Sequence, residues 1–387
     1  MLDCGAGDLV ACQVRLRHSE PLSRRLVIAR GTPLNFVFHA NPSRVIFGAG
    51  LRAKAAEELD RLGISRAIVL ATPPQAALAA EFARDIGMRA VIVYPGAAMH
   101  TPVEVTESAL LAVQSVNANG ILSAGGGSTI GLGKAIALRT DLPQLAIPTT
   151  FAGSEMTPIL GQTERGAKTT QRTPKVLPET VIYDPDLVTT MPRSIAGPSG
   201  MNAIAHSVEA LYAKDANPVV SLMAEDSIRA LGNALPRLLA QAGDRDAWTE
   251  ALYGAWLAGA CLGLVGMSLH HKICHTLGGT FNLDHAGIHC LMLPYTAAYN
   301  RDAAPEAMRR VARALHAREL SGDAPSALYD LMLKTATHRS LREFGLTEND
   351  LETAADLAVK SPYDNPRPVT RSAVLDMLRA AYGGTRP

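Results

Sequence analysis

Apolar positions recur along this chain in two rhythms. Up to about residue 150, compact apolar runs alternate with segments whose apolar residues fall three and four apart. RVIFG (44–48), RAIVLAT (66–72), AVIVYP (90–95), GILSA (120–124) and LPQLAIPTT (142–150) predict strands. Between them, LRAKAAEELDRLG (51–63) has helical spacing and ends at a glycine, and PPQAALAAEFARDIG (73–87) has proline at its entry. Residues 103–116 predict a further helix, and GGGSTIGLGKAIALR (125–139) carries another that opens near Thr129. Strands alternating with helices at this spacing imply a parallel sheet covered on both faces. Beyond Pro192 the texture changes. Residues 199–213, 221–240 and 248–269, then further segments to Tyr382, keep the helical period with no strand-like run. The expected fold class is therefore α/β, with a parallel-sheet domain over 35–192 and an all-helical domain over 193–387. They join near YDPDLVTTMPRS (183–194). Residues 1–34 stand outside this pattern and are expected to be a poorly ordered extension. No internal repeat is present.

Composition narrows the class. The 387 residues are 47% apolar and 19% charged, a globular balance with length enough for two domains. The net charge is +1 and aromatics make up 5%, so no basic stripe with interleaved aromatics points to nucleic acid. Ala251–Leu269 carries no charge, which is near spanning length. It holds four glycines and runs straight into His270, His271 and Lys272, so it predicts a buried core helix and no membrane association. The first residues lack the apolar core of a secretory signal. Five cysteines, Cys4, Cys12, Cys261, Cys274 and Cys290, show no CxxC spacing. An odd count without that spacing fits a reducing, cytoplasmic compartment. Cys274 reads as a small buried residue.

Two loops suggest a phosphate-bearing ligand. Gly125, Gly126 and Gly127 follow the GILSA strand and precede a helix expected to open near Thr129. Glycines there let the backbone approach a pyrophosphate, and a helix N-terminus offers free N–H groups. Ser128 adds a hydroxyl. The pattern is neither GxGxxG nor a P-loop, and a triple glycine alone also marks a tight turn. IPTTFAGSEMTP (147–158) follows the next strand and carries Thr149, Thr150, Ser154 and Thr157. Two such loops at adjacent strand ends form a crevice suited to a dinucleotide, unless their hydroxyls simply cap helices.

HHKICHTLGGTFNLDH (270–285) holds four of the chain's eleven histidines. His271 and His275, four apart, share a helix face, and so do Asn202 and His206 in GMNAIAHSVEALYA. With His285 these could surround one small site. An aspartate at 202 would make that a divalent-metal centre of one carboxylate and three imidazoles. Asn202 is neutral and cannot supply the anionic ligand. Histidines hydrogen-bonded in a polar core remain the alternative, though five correlated positions fit it poorly.

The motifs together carry a resemblance. NFVFHANPSRVIFG, GGGSTIGLGKAIAL, AIPTTFAGSEMTPI, AKTT, LPETVIYDPDL, GMNAIAHSVEALYA and HHKICHTLGGTFNLDHA resemble the iron-containing alcohol dehydrogenase superfamily over residues 35–385, and within it the maleylacetate reductases. The resemblance implies a Rossmann-like dinucleotide domain followed by the helical domain, the architecture shared with dehydroquinate synthase. It implies that metal-dependent members hold their ion at the positions of Asn202, His206, His271 and His285, with aspartate at the first. Maleylacetate reductases carry asparagine there and work without metal, with catalytic histidines at His275 and His285. It further implies NADH or NADPH bound by the two loops, by Thr72 at the ribose and by Lys168 of GAKTT. The implied partners are a small dicarboxylate, with His271, His285, His289 and Lys272 near it, and a second copy of the chain. The implied reaction adds hydride to a conjugated double bond of maleylacetate, giving 3-oxoadipate, in bacterial-type aromatic breakdown. A metal-dependent alcohol or aldehyde dehydrogenase of the same fold is the competing enzyme reading, and a dinucleotide-binding protein without turnover is the competing class. One departure is LDHAGIH (283–289), where the family reads close to LPHAETH.

Overall fold

Eight strands form among the described residues: β1 (Arg44–Phe47), β2 (Ala67–Leu70), β3 (Ala90–Tyr94), β4 (Gly120–Gly125), β5 (Gln144–Pro148), β6 (Ile159–Glu164), β7 (Ala167–Arg172) and β8 (Thr180–Tyr183). Six of them form a parallel sheet in the order β1-β8-β5-β4-β2-β3, and β6 and β7 form a separate antiparallel pair. The computed structural model describes residues 36–41, 43–164, 167–316 and 323–387, with 167 and 168 described in backbone only. The expected extension 1–34 therefore lies outside the described residues.

The sheet follows the period of two. Val69, Leu122, Leu145 and Ile147 face one side with Leu59 of α1 (Ala55–Arg61) and Phe82 of α2 (Ala76–Asp85). Ile68, Leu70 and Ile121 face the other, with Ala109 and Val113 of α3 (Val103–Ser115) and Leu132 and Ile136 of α4 (Gly127–Thr140). Burial on both faces explains why these strands read as continuous apolar runs. The chain leaves β2 toward β3 on one side and β4 toward β5 on the other. A crevice opens beyond the C-terminal strand ends at such a switch.

After a short turn of helix α5 (Pro185–Val188), every remaining element is helical. α6 spans Arg193–Ala210, α7 Pro218–Ala240, α8 Arg245–Leu264, α9 Leu269–Phe281 and α10 His285–Asn300. Four more, α11 (Pro305–Ala314), α12 (Ala324–Thr335), α13 (Glu348–Val359) and α14 (Arg371–Gly383), close the core. The change of texture read near Pro192 thus falls at the start of α6. Val37–Pro387 nevertheless clusters as one compact unit.

Several local expectations change. The polar hairpin β6–β7 has no apolar alternation to announce it. α6 opens six residues earlier than expected and runs through Pro198. The uncharged stretch 251–269 is not one helix. α8 ends at Leu264, and α9 leaves at 97° to it. Partners distant in sequence hold this break. Arg172 of β7 donates to the Gly263 carbonyl at 2.8 Å and the Val265 carbonyl at 3.4 Å, and the Gly266 N–H donates to Asp215 at 3.0 Å. Among the described residues no single helix is long and apolar enough to cross a membrane.

The sheet and the helices meet backbone to backbone. Gly153, in the loop after β5, has φ 77°, a left-handed conformation that favours glycine. A Cβ there would lie 2.9 Å from Gly259 Cα on α8, and a Cβ on Gly259 would lie 2.8 Å from Gly153 Cα. No rotamer relieves a contact between two backbones. Gly259→Ala should therefore lower stability by about 1–3 kcal/mol, the range for overpacking a core. Gly243→Ala, where nothing lies within 4 Å, should stay within about 0.5 kcal/mol of the parent. Thermal unfolding of the two variants provides the comparison, and equal midpoints would refute the close approach.

Candidate active site

The glycine loop enters α4 two residues earlier than its sequence suggested. Gly126 is the N-cap, extended at φ −84° and ψ −164°, and no side chain caps the helix. Its first N–H groups therefore have no protein acceptor from a capping side chain. A Cβ on Gly126 would lie 2.9 Å from Thr150 Cγ2, so glycine lets the two loops close on one another. The Thr149 N–H donates to the Gly125 carbonyl at 3.1 Å. Gln75 ties in the end of β2, because its Nε2 donates to Thr149 Oγ1 at 2.9 Å and its Oε1 accepts from Thr72 Oγ1 at 3.4 Å. Thr72, Gly126, Gly127, Ser128, Thr149 and Thr150 thus gather at the sheet's switch point, with Gln75 as a member that sequence reasoning missed. Its only signal was an amide just after Pro73 and Pro74, at the N-cap of α2.

The rest of the threonine loop is held from inside. The buried Lys134 amine of α4 donates to the Ser154 carbonyl, to the Thr157 and Ile159 carbonyls at 2.7 and 2.9 Å, and to Thr157 Oγ1 at 2.9 Å. Thr157 in turn donates to the Ser154 carbonyl at 3.1 Å. The Thr157 hydroxyl, read as a ligand contact, is engaged within the protein, and its residue is buried. The Lys168 side chain lies outside the described residues.

The same loop touches the histidine cluster, since a Cβ on Gly153 would lie 3.6 Å from His206 Nδ1. α6 carries Asn202, His206 and Glu209 on one face at spacings of four and three. α9 brings His270, His271 and His275, and α10 brings His285 and His289. The turn between them needs Asn282 at φ 51°, a conformation asparagine tolerates better than most residues. The rings of His206 and His271 stack at 5.1 Å, those of His275 and His285 stack at 5.7 Å, and His289 lies 4.3 Å from His285 and 4.9 Å from His271. Every histidine singled out in the sequence enters one cluster. Lys272 does not, because its amine lies over the Tyr363 ring, 5.9 Å from the centroid.

Glu209 organises this cluster, and sequence reasoning missed it. It is fully buried. Its carboxylate accepts from the N–H groups of Ser268, His270 and His271 at 3.0, 2.7 and 3.4 Å, and from His271 Nδ1 at 2.6 Å. Ser268 makes no side-chain cap on α9, so a carboxylate from α6 caps α9 instead. The signal available was a lone acid three residues after His206 in an otherwise apolar helix. Burial pushes its pKa up, but the hydrogen bond and charge of His271, the charge of His270 and the Ser268 N–H outweigh that and hold it below 4.5. Burial, aided by the neighbouring imidazoles, pushes His206 and His289 well below the ordinary histidine value. Burial also takes His270 down to about 3, with Glu209 opposing. His270 is enclosed in the core and hydrogen-bonded to Thr296 and His289. His275 is exposed and His285 half-buried, so these two face the open side. Asn202 Oδ1, His206 Nδ1, His271 Nε2 and His289 Nε2 are buried without a hydrogen-bond partner.

Both halves of the chain match one known family. The iron-containing alcohol dehydrogenase model matches residues 42–185, and the C-terminal model of the Fe-containing alcohol dehydrogenase family matches residues 197–382. Maleylacetate reductase from Burkholderia cepacia is 51% identical, covering 91% of this chain and 99% of that one. The enzyme of the same name from Sphingobium indicum is 49% identical, covering 92% and 99%. The crystal structure of maleylacetate reductase from Agrobacterium tumefaciens superposes with a TM-score of 0.88 at 50% identity, covering 91% and 99%. The chain belongs to the iron-containing alcohol dehydrogenase family. Within that family it groups with the maleylacetate reductases, and it is an oxidoreductase.

Two features of this family member follow from the geometry. The set at Asn202, His206, His271 and His285 offers three imidazoles and no carboxylate. An uncharged amide stands for the anionic ligand. Among the described residues, the all-histidine group whose ligand atoms lie within 4.8 Å of one another is His275, His285 and His289 instead. The departure at LDHAGIH is a helix cap: Asp284 is the N-cap of α10 and accepts from the Gly287 N–H at 2.6 Å, and a Cβ at 287 would lie 2.6 Å from Asp284 Oδ2. A side chain at 287 would displace the Asp284 carboxylate from this cap, and His285 stays at the start of α10.

Glu209→Ala should cost about 3–5 kcal/mol, because it strips the buried acceptor from the His271 imidazole and from the N–H groups of Ser268, His270 and His271. Glu209→Gln keeps one acceptor and should cost less. A carboxylate whose folded pKa lies below 4.5 contributes its full stability above 4.5 and loses it as pH falls through the folded value. The acid limb of the stability curve should therefore flatten in Glu209→Gln. An unchanged limb would contradict the sign of the shift.

Proposed function

We propose that the protein reduces maleylacetate to 3-oxoadipate with NADH or NADPH. The observation that carries this reading is the stacked His275–His285 pair on the open side of a cluster whose position 202 is an amide. About half-identity to maleylacetate reductases over nearly the whole chain supports the same substrate. The glycine and threonine loops fit a dinucleotide: a helix N-terminus without a side-chain cap, glycine where the loops close, and hydroxyls at the switch point. When bound, the dinucleotide supplies hydride to the alkene carbon β to the ketone.

The chain's own residues deal with the charge that results. Electron density moves to the ketone oxygen as an enolate, and a proton must reach the carbon between them. Simple carbonyl reduction puts full charge on an alkoxide, for which a Lewis acid is the usual partner. A conjugated acceptor spreads that charge, so a protonated imidazole at His275 or His285 suffices to hold the enolate and hand over its proton. Asn202 and His206 then serve as polar contacts and His271, oriented by Glu209, as a carboxylate contact for the dianionic substrate. We place the enzyme in the cytoplasm, as a homodimer without resident metal, in bacterial-type degradation of aromatic compounds.

A second reading, metal-dependent alcohol or aldehyde dehydrogenase, draws on the unpartnered buried atoms of Asn202, His206 and His271. Elemental analysis with activity measured in chelator separates the two. No stoichiometric metal and full activity are expected, and one tightly held ion lost together with activity would favour the second reading. Asn202→Asp should raise metal affinity by restoring an anionic ligand.

His275→Ala and His285→Ala should each lower kcat by about 10²–10⁴, the usual span of acid–base catalysis. NADH titration by fluorescence should be unchanged, because the loops carry that binding. NADH and NADPH should bind within about tenfold of each other, or roughly 1.4 kcal/mol, since Thr72 neither repels a 2′-phosphate nor pairs with it. Single-turnover reduction of maleylacetate with each variant is the decisive measurement. Parent-like kcat in both histidine variants would remove the mechanism.

A further inference from the structure

The Lys134 amine occupies a cradle built for a cation. Its residue is fully buried. Its Nζ donates to four oxygens: the carbonyls of Ser154, Thr157 and Ile159, and Thr157 Oγ1. The two Thr157 oxygens lie at 2.7 and 2.9 Å and the Ile159 carbonyl at 2.9 Å. Carbonyls turned inward in this way replace the water around an ion. Thr157 Oγ1 gives its own proton to the Ser154 carbonyl, 3.1 Å away, so its lone pairs are turned to the amine. A neutral amine would aim a lone pair at these oxygens, whereas an ammonium ion has only N–H groups to offer. The cradle therefore selects the charged form. Burial lowers the pKa of this amine to about 7, and the charge of Glu155 opposes that. Glu155 is buried in the same loop, where its Oε1 accepts from the Tyr183 hydroxyl at 2.7 Å.

The cradle closes the loop between β5 and β6, residues 149–158. Lys134 reaches it from α4, seven residues after Gly127, or about two helical turns. A single helix thus ends in N–H groups suited to phosphate and, on the same face, anchors the loop across the crevice. Ser154 enters the cradle through its carbonyl, which leaves its hydroxyl for a ligand. We propose that Lys134 is a positioning residue for the dinucleotide: it is a tethered cation in a site formed by Ser154, Thr157 and Ile159, and it holds the threonine loop in its binding shape. A loop ordered in advance lowers the cost of binding. The ligand class of the site is a primary ammonium ion, so a free ion of that class should replace the side chain once it is removed. The effect on affinity rests on the dinucleotide reading given above; the cation site does not.

Lys134→Ala removes the atoms of propylammonium and leaves the cradle. NADH titration by fluorescence should show affinity weakened about tenfold or more, the cost of ordering a released loop. Propylammonium chloride should bring affinity back by about threefold or more through mass action. Tetramethylammonium chloride at the same ionic strength has no N–H group and should bring back none. Lys134→Met keeps an unbranched chain and fills the space. It should lose affinity like Lys134→Ala, raise the KM for NADH more than it lowers kcat, and gain nothing from propylammonium. Should Lys134→Ala fail to fold, Lys134→Met carries the affinity comparison, and Thr157→Val, which takes one oxygen from the cradle, should weaken NADH by a smaller factor. Amide hydrogen exchange without ligand should rise at residues 149–158 in Lys134→Met and stay parent-like in β2 and β3. Parent-like NADH affinity in Lys134→Met, a loss in Lys134→Ala that propylammonium leaves untouched, or faster exchange spread evenly over the sheet would overturn the proposal. If the parent itself binds neither NADH nor NADPH, the dinucleotide reading falls, while hydrogen exchange of Lys134→Ala with and without propylammonium still decides the cation site.

Discussion

The backbone contact of Gly153 with Gly259 is the constraint on which the site depends. It sets the distance between a loop anchored in the sheet and a helix anchored in the second half of the chain. With any side chain at either place, the loop after β5 would stand away from α8 and from His206 beside it. The loop is stiff enough to transmit that constraint because Lys134 gathers its carbonyls from within. The threonine loop and the histidine cluster thus meet across a seam made of glycine.

A second constraint lies deeper. Glu209 fixes the N-terminus of α9 and one ring nitrogen of His271 with a single carboxylate. Its negative charge is tolerated in the core because it is surrounded by N–H donors and sits at a helix N-terminus. The bend between α8 and α9 turns the first residues of α9 toward α6, where Glu209 waits. Arg172 makes the bend possible by taking the carbonyls that α8 leaves open. A hairpin that looked like an unremarkable polar stretch therefore shapes the path on which three histidines ride.

The residue patterns were good evidence wherever burial was uniform. The sheet strands, buried on both faces, could be read from their apolar runs, and the glycine loop from its place between strand and helix. Asn202, His206, His271, His275 and His285 were singled out from spacing and from family motifs, and they share one cluster. Patterns failed where partners are remote. Residues 251–269 are as apolar on one side of the break as on the other, so nothing local marks it. Thr157 and Thr150 look alike in sequence, yet the Thr157 hydroxyl lies against a buried lysine. His270 and His271 are neighbours with different tasks, one enclosed against Thr296 and the other held by Glu209.

What the sequence by itself determined is the inventory and its periodicity: parallel strands, an all-helical second half, a phosphate-suited loop, and imidazoles without a carboxylate at position 202. These follow from properties that each residue carries with it: volume, polarity, charge and backbone freedom. Only the tertiary structure decided which nitrogen of each histidine is engaged, which hydroxyls remain available, and that Glu209 rather than Ser268 caps α9. Those outcomes depend on the direction of hydrogen bonds between elements dozens of residues apart, and a donor's partner is chosen by packing, not by its own identity.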